Sequence, residues 1–340
     1  MRPGHEYNLW FCKYMIRIGL LGASRVSRYA VIEPAVALDG IEVSAVAARD
    51  AVRAAAFAAE TGIPRVAADY EALLASADVD LVYNGLPPSG HARWTIAALE
   101  AGKHVLCEKP FAMNAAEAQA MVDAAGRSGR VLIEAYHYRF HPLFARVLEV
   151  LDSGAIGAVR GIRAHFNVRI PPEPGEIRYA PALGGGAMMD LGCYCVHWAR
   201  SVMRVEPEVL SAAAVRHETG VDVAMQALLG FPGGVRAELR SSMAEGPDEG
   251  LDAGLEITGE RGRLTVVNPI APHLGHELVI DAAGVTTREE VAGETTFAHQ
   301  LRHVIGVLQG TLEPLTGGGD AVAGMRVLDA VYRAAGMRPD

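Results

Sequence analysis

The chain has 340 residues, half of them hydrophobic and 21% charged, with a formal net charge of −9. That composition suits one large or two ordinary packed domains and argues against a disordered chain. The acidic balance and the lack of a basic run argue against a nucleic-acid partner, and no apolar run approaches the ~20 residues of a membrane span.

The opening "MRPGHEYNLWFCKY" lacks the apolar stretch of a secretory signal. Residues 1–14 therefore read as a disordered leader, with Met15 as an alternative start. Cys12, Cys107, Cys193 and Cys195 show no metal-type spacing beyond one C-x-C, so they read as reduced thiols of a cytoplasmic protein.

From Met15 to about Tyr136, short apolar runs alternate with alanine-rich segments. Ile16–Leu21, Val43–Ala48, Val79–Gly85, His104–Lys109 and Arg130–Tyr136 read as buried strands. The segments between them, such as "DAVRAAAFAAE" and "NAAEAQAMVDAAG", read as helices, the latter opening on Asn114 and Glu117 as in a capping box. Strand–helix alternation implies a parallel sheet covered on both faces, a doubly wound dinucleotide-binding domain over residues 15–137.

The pattern changes beyond that point. "HPLFARVLEVLDSG" is helical, and "RGIRAHFNVRI" alternates, with Ile162, Ala164 and Phe166 on one face and Arg163, His165 and Asn167 on the other. "VAMQALLGFPGGVRAELRSS" reads as a hairpin turning at Gly233–Gly234, and "LEITGERGRLTVV" as a second. Two helices close the chain, one presenting Phe297, Leu301, Val304, Ile305 and Leu308, the other starting near Asp320. Residues 138–340 thus form an α+β domain with a large mixed, mainly antiparallel sheet. This domain is expected to bind the substrate and to carry oligomer contacts.

The turn after the first strand, Gly22-Ala23-Ser24-Arg25-Val26-Ser27, occupies the place of a G-x-G-x-x-G fingerprint but keeps only its first glycine. Its setting, strand then helix, still suits a pyrophosphate at the helix N-terminus. Gly22, Ala23, Ser24, Arg25 and Val26 are accordingly cofactor-binding candidates. A ribose-binding acid belongs roughly 20 residues on, where Ala48 stands; Arg49 beside it can pair with a 2′-phosphate. NADP(H) is therefore expected, with NAD(H) as the alternative, and Asp50 is expected to cap the next helix.

"LCEKPF" puts Lys109 at the end of the fourth strand, beside the crevice where doubly wound sheets bind ligands, with Pro110 fixing the turn. Leu86, Pro87, His91 and Glu108 join Lys109 as cofactor-side candidates; His91 could equally shape the loop after the third strand. In "GGGAMMDLGCYCVHW", Asp190, Tyr194 and His197 fall at helical spacing. That stripe reads as polar because it faces a cavity. The three glycines, Gly184, Gly185 and Gly186, would let a ligand or backbone come close.

On the first βα turn, "NGLPPSGHARWTIAALEAGKHVLCEKPFA", "EAYHYRFHP" and "GGGAMMDLGCYCV", the chain resembles the glucose-fructose oxidoreductase / inositol dehydrogenase / rhizopine-catabolism (Gfo/Idh/MocA) family. Within it, the chain is most similar to the xylose dehydrogenase, dihydrodiol dehydrogenase and NADP-dependent ketosugar reductase branch. The resemblance implies that Lys109 is the lysine of the E-K-P motif, often followed by a cis peptide bond. It implies that Asp190 and Tyr194 are the D-x-x-x-Y pair. It also implies a sugar or cyclic polyol as small-molecule substrate and a homodimer or homotetramer. The glycine-poor phosphate turn is where the chain departs from the pattern.

Oxidising a carbinol requires a base for the hydroxyl proton, and a free tyrosine has a pKa of about 10. A neighbouring Lys109 ammonium is expected to lower that of Tyr194. The catalytic assignment is thus Tyr194 as acid/base, Lys109 as its electrostatic partner and Asp190 as a substrate-orienting acceptor, with Lys109 as the proton shuttle left open. Tyr138, Arg139, Asp190 and His197 are the substrate-binding candidates, although His197 could lie behind the site. His137 and His141 stand four apart, but Pro142 follows and a third ligand is lacking, so no metal is expected. Two other activities stay open: a non-catalytic NADP-binding regulator and an NAD-dependent glycosidase of the same fold.

Overall fold

A computed structural model describes residues 15–337; the expected leader, 1–14, lies outside them. The first sheet is parallel. It contains β1 (Ile16–Leu21), β2 (Ile41–Ala47), β3 (Leu81–Asn84), β4 (His104–Cys107) and β5 (Leu132–Glu134) in the order β2-β1-β3-β4-β5. Chain direction across the sheet reverses between β1 and β3, and a crevice opens outside the carboxyl ends of strands at such a point. Ile18, Leu20, Leu81 and Leu106 are buried, as strands covered on both faces require.

Local chemistry sets the helix boundaries. Asp50 accepts from the N–H groups of Val52 and Arg53 and caps the Ala51–Thr61 helix, as expected. Asn114 caps the Ala115–Ser128 helix by accepting from Glu117 N, while the Glu117 carboxylate accepts from Met113 N. His141 Nδ1 accepts from Leu143 N and starts the Pro142–Asp152 helix, whose buried face is Leu143, Phe144, Val147 and Val150.

The second sheet has eight strands in the order β13-β12-β11-β10-β6-β9-β8-β7. They are β6 (Val159–Asn167), β7 (Glu208–Arg216), β8 (Asp222–Gly230), β9 (Arg236–Ser242), β10 (Asp252–Gly259), β11 (Gly262–Val267), β12 (Glu277–Ala282) and β13 (Val285–Glu289). Only β6 and β9 pair in parallel. Both expected hairpins form, β8–β9 through Pro232–Gly234 and β10–β11. One face of the sheet packs on the Cys193–Met203 helix through Ile162, Ala164, Leu239 and Leu255. The other presents Arg163, Glu238 and Glu256.

The two closing helices return to the first sheet. The Thr296–Leu308 helix joins Leu301, Val304, Ile305 and Val307 to the buried cluster of Ile16, Ile18 and Tyr83. The Gly318–Ala334 helix lies against the Ala115–Ser128 helix.

Candidate active site

The crevice at the switch point is formed by the turns after β1 and β3. Gly22 has φ +93°, and a Cβ there would come within 3.1 Å of Leu86 Cδ2. Ser24 caps the following helix, and its hydroxyl shares a 2.6 Å hydrogen bond with Ser27 Oγ. Ala23 is buried, and its carbonyl accepts from Arg53 Nη2. Arg25 and Arg49 are exposed, whereas Val26, Leu86 and Pro87 are half-buried at the rim. A glycine in the left-handed region, a serine-capped helix start and an exposed arginine past β2 fit a dinucleotide's pyrophosphate and 2′-phosphate. Those residues would hold the cofactor.

His91 does something else. It is fully buried, with Nδ1 2.9 Å from the Pro110 carbonyl and Nε2 2.7 Å from the Leu86 carbonyl. Burial lowers its pKa to about 4. It ties the loops after β3 and β4 together, the loop-shaping role expected of it, with both ring nitrogens engaged by backbone carbonyls rather than left for a cofactor. Glu108 is likewise buried, accepting from Tyr83 Oη at 2.8 Å and from Lys109 N. Burial raises its pKa despite the opposing pull of Lys109 and Tyr83.

The Lys109–Pro110 peptide bond is cis. Lys109 Nζ donates to Asp190 Oδ1 at 2.7 Å and to the Asp190 carbonyl at 2.8 Å, joining the first domain to the second. Arg178 Nε holds the other carboxylate oxygen, Oδ2, at 2.5 Å. Burial would raise the Asp190 pKa, but Lys109 and Arg178 hold it well below the carboxylate range. Burial disfavours the Lys109 ammonium, yet Asp190 holds its pKa above the ordinary lysine value.

Tyr194 is near this pair in an unforeseen orientation. Lys109 Nζ lies 5.0 Å from the centroid of the Tyr194 ring, a cation–π arrangement. The hydroxyl instead meets His137 Nε2 at 3.0 Å. Burial, followed by Glu108, Cys193 and Asp190, pushes the Tyr194 pKa well above 10. The expectation that Lys109 lowers it is overturned: Tyr194 is buried, and the Lys109 charge is spent largely on Asp190.

The polar stripe also divides. Residues 188–192 form a π-helical turn ahead of the Cys193–Met203 helix, and the extra residue per turn rotates Asp190 relative to those that follow. Asp190 faces Lys109, and Tyr194 faces His137. His197 is buried, with Nδ1 2.5 Å from Tyr138 Oη and Nε2 3.3 Å from Asp320. Tyr138 is fully buried against His197, Phe144 and Trp198. Arg139 lies over the Phe144 ring. Arg139 and His197 line a separate cavity of about 340 Å³ with Arg200, Ser201 and Asp320, away from Lys109 and Tyr194. Arg139 and His197 therefore do not face the Lys109–Asp190–Tyr194 centre, and Tyr138 meets it only through its ring, 6.0 Å from that of Tyr194; of the four substrate-side candidates Asp190 stands within it.

The glycines before the helix serve the protein's own packing. A Cβ on Gly185 would sit 2.5 Å from the Arg178 carbonyl, and one on Gly186, at φ +127°, would strike Asp222. Asp222 in turn accepts from Met188 N at 2.7 Å and from Tyr332 Oη at 2.9 Å, fixing the start of the π turn.

Sequence reasoning missed Arg178, His137 as the partner of Tyr194, and Thr296. Arg178 sits in a single 3₁₀ turn, Ile177–Tyr179, too short to show a periodicity that would flag it. His137 was weighed only as a metal ligand beside His141, but the two point to different partners.

A left-handed glycine and a serine cap at the switch point, with a lysine–carboxylate–tyrosine cluster past β4, fit a dinucleotide-dependent oxidoreductase. Residues 16–136 match the oxidoreductase family with an NAD-binding Rossmann fold, and residues 144–265 match the GFO/IDH/MocA C-terminal domain. The chain belongs to the Gfo/Idh/MocA oxidoreductase family. It is 35% identical over 320 residues to D-xylose 1-dehydrogenase (NADP(+)) 2 of Haloferax volcanii, covering 93% of this chain and 96% of that one. Trans-1,2-dihydrobenzene-1,2-diol dehydrogenase of Xenopus tropicalis is 34% identical over 298 residues, 84% of this chain and 87% of the relative. The structure of KijD10, a 3-ketoreductase from Actinomadura kijaniata in complex with NADP and TDP-benzene, superposes with a TM-score of 0.86 at 29% identity, covering 94% of this chain and 98% of that one. Among the described residues no helix is long and apolar enough to cross a membrane.

Proposed function

We propose that the protein transfers hydride, with NADP(H), between the nicotinamide and a secondary alcohol or ketone of a sugar or cyclic polyol. The observation that carries this reading is the meeting of Lys109 and Asp190 at 2.7 Å with Lys109 Nζ over the Tyr194 ring. When bound, the cofactor supplies or accepts the hydride. Lys109 and Arg178 fix the Asp190 carboxylate, which orients a substrate hydroxyl. Tyr194 Oη exchanges a proton with the substrate oxygen, and the buried surroundings exclude water. Arg49 favours the 2′-phosphorylated cofactor. The names of the xylose dehydrogenase and KijD10 relatives support the substrate and cofactor classes. The outward face of the eight-stranded sheet, with Leu210 and Val215 exposed on β7, supports a homo-oligomer.

The test is a titration of NADPH against NADH by fluorescence, then a panel of aldoses, ketoses and cyclic diols followed by nicotinamide absorbance. Tight NADPH binding with turnover of a polyol is expected. NADPH binding without turnover across the panel would mark the regulator instead. Sugar release with no net absorbance change would mark the glycosidase.

A further inference from the structure

Among the described residues, the Tyr194 hydroxyl meets His137, and the other ring nitrogen of His137 meets Thr296. His137 Nε2 lies 3.0 Å from Tyr194 Oη, and Nδ1 lies 2.8 Å from Thr296 Oγ1. His137 is buried, Thr296 fully so, and the Phe297 ring covers the imidazole at 4.1 Å. The imidazole comes from the end of the first domain and the threonine from the first turn of the Thr296–Leu308 helix.

A neutral imidazole has one donor and one acceptor nitrogen, and a buried polar hydrogen needs an acceptor. Two arrangements satisfy the ring. In the first, Nδ1–H donates to Thr296 and Nε2 accepts from Tyr194. The Thr296 hydroxyl hydrogen then has no acceptor, in a place with no access to water. In the second, the Thr296 hydroxyl donates to Nδ1 and Nε2–H donates to Tyr194 Oη. The unmatched hydrogen is then that of Tyr194, which keeps 3% exposure where Thr296 keeps none and whose ring lies under Lys109 Nζ at 5.0 Å, so its hydrogen is the one open to a substrate oxygen. Hydrogen-bond accounting selects the second.

We propose that His137 is a positioning residue for Tyr194, held by Thr296 in the neutral Nε2–H tautomer so that it donates to Tyr194 Oη and aims the phenol hydrogen at the substrate. The inference rests on Tyr194 being the acid/base of the proposed reaction. In the reducing direction the carbonyl carbon gains hydride from the reduced nicotinamide nucleotide. The Tyr194 O–H bond breaks, its proton forms the product hydroxyl, and the phenolate left behind keeps the Nε2–H bond until product release opens the centre to solvent, which returns the proton. This supplies at the hydroxyl what Lys109, sitting over the ring, does not. The groups facing the imidazole are Tyr194, Thr296 and Phe297, with Lys109 contributing positive charge. Burial first, then that charge, keeps it neutral, with a pKa of about 3.

The test is ¹⁵N NMR of histidine-labelled full-length protein without substrate, with His137 assigned by loss of its signal in His137→Gln. The expected result is a pyridine-type Nδ1 and a pyrrole-type Nε2 across pH 6–8, kept in Tyr194→Phe and reversing in Thr296→Val, where Nδ1 loses its donor and Nε2 turns to accept from Tyr194. A wild-type Nδ1–H tautomer, an Nε2–H tautomer unmoved by Thr296→Val, or an imidazolium would overturn the proposal. If His137→Gln fails to fold, the response to Thr296→Val makes the assignment. Because the readout needs no substrate, an Nε2–H ring in a protein that turns nothing over defeats the activity reading and leaves this tautomer standing.

Discussion

Lys109 and Asp190 are 81 residues apart and belong to different domains, yet their charged atoms meet at 2.7 Å. Arg178 closes on the same carboxylate from a third segment, so one acid serves two cations.

Replacing Asp190 by Asn leaves both cations without their common acid. Removing one partner from a buried pair costs about 3 kcal/mol or more. The Asp190 pKa is depressed in the folded state, so its contribution is present above the unfolded value of about 3.9 and is lost as pH falls below that. The Lys109 pKa is raised, so its contribution is present below about 10.4 and is lost above that. Urea unfolding of wild type and Asp190→Asn should differ most between those limits and converge at the extremes.

Tyr194→Phe removes only the hydroxyl, keeping the ring packed against Tyr136 and Phe166. Turnover should fall by roughly 10²- to 10⁴-fold, the range of a lost acid/base group. NADPH affinity should change little, while the thermal midpoint should fall by the worth of one buried hydrogen bond, because His137 loses its partner. An unaltered kcat would remove Tyr194 from the chemistry.

Asp222 should make the protein less stable as pH rises through the mildly acidic range. Burial raises its pKa to about 6, partly offset by hydrogen bonds from Met188 N and Tyr332 Oη. A folded pKa above the unfolded one means that the native state binds more protons, so stability declines between about pH 4 and 6. The size of the shift corresponds to about 3 kcal/mol. Denaturation from pH 4 to 8 should show this decline in wild type and lose it in Asp222→Asn.

Arg49→Ala should weaken NADPH binding about 10- to 100-fold, the worth of a charge-assisted hydrogen bond. NADH binding should be almost unaffected. Fluorescence titrations with both nucleotides check this, and equal losses for the two would place Arg49 away from the 2′-phosphate.

Gly186→Ala should destabilise by about 3 kcal/mol or more, because a side chain there combines φ +127° with a collision against Asp222. Gly129→Ala, with open space around it, should be much milder even at φ +63°.

Much of the architecture was legible in periodicity. Ile16–Leu21 was found to the residue, because a buried strand bounded by a glycine turn leaves an unambiguous signature. Both hairpins and the Asp50 and Asn114 caps followed from short-range chemistry. The lysine and aspartate that meet in the site were also readable. The directions of the side chains were not. A uniform α-helical wheel put Tyr194 and His197 with Asp190 on one stripe, and the π turn at Met188–Gly192 broke that geometry. Arg178 and Thr296 reach the centre through loop and tertiary placement, which no local pattern encodes. Tyr138 follows the fifth strand and His197 stands at helical spacing from Asp190, placements that suit a pocket; the two satisfy each other inside the protein instead.

The Thr296–Leu308 helix completes the buried cluster of the nucleotide domain with Leu301, Val304 and Ile305. On the ribosome, strands β1 to β5 leave the exit tunnel long before that helix exists. Until Thr296–Leu308 has been made, the nascent domain therefore exposes an apolar flank. A premature stop after residue 290, although it spares the entire phosphate-binding turn, would yield a polypeptide whose nucleotide half never closes over its own interior.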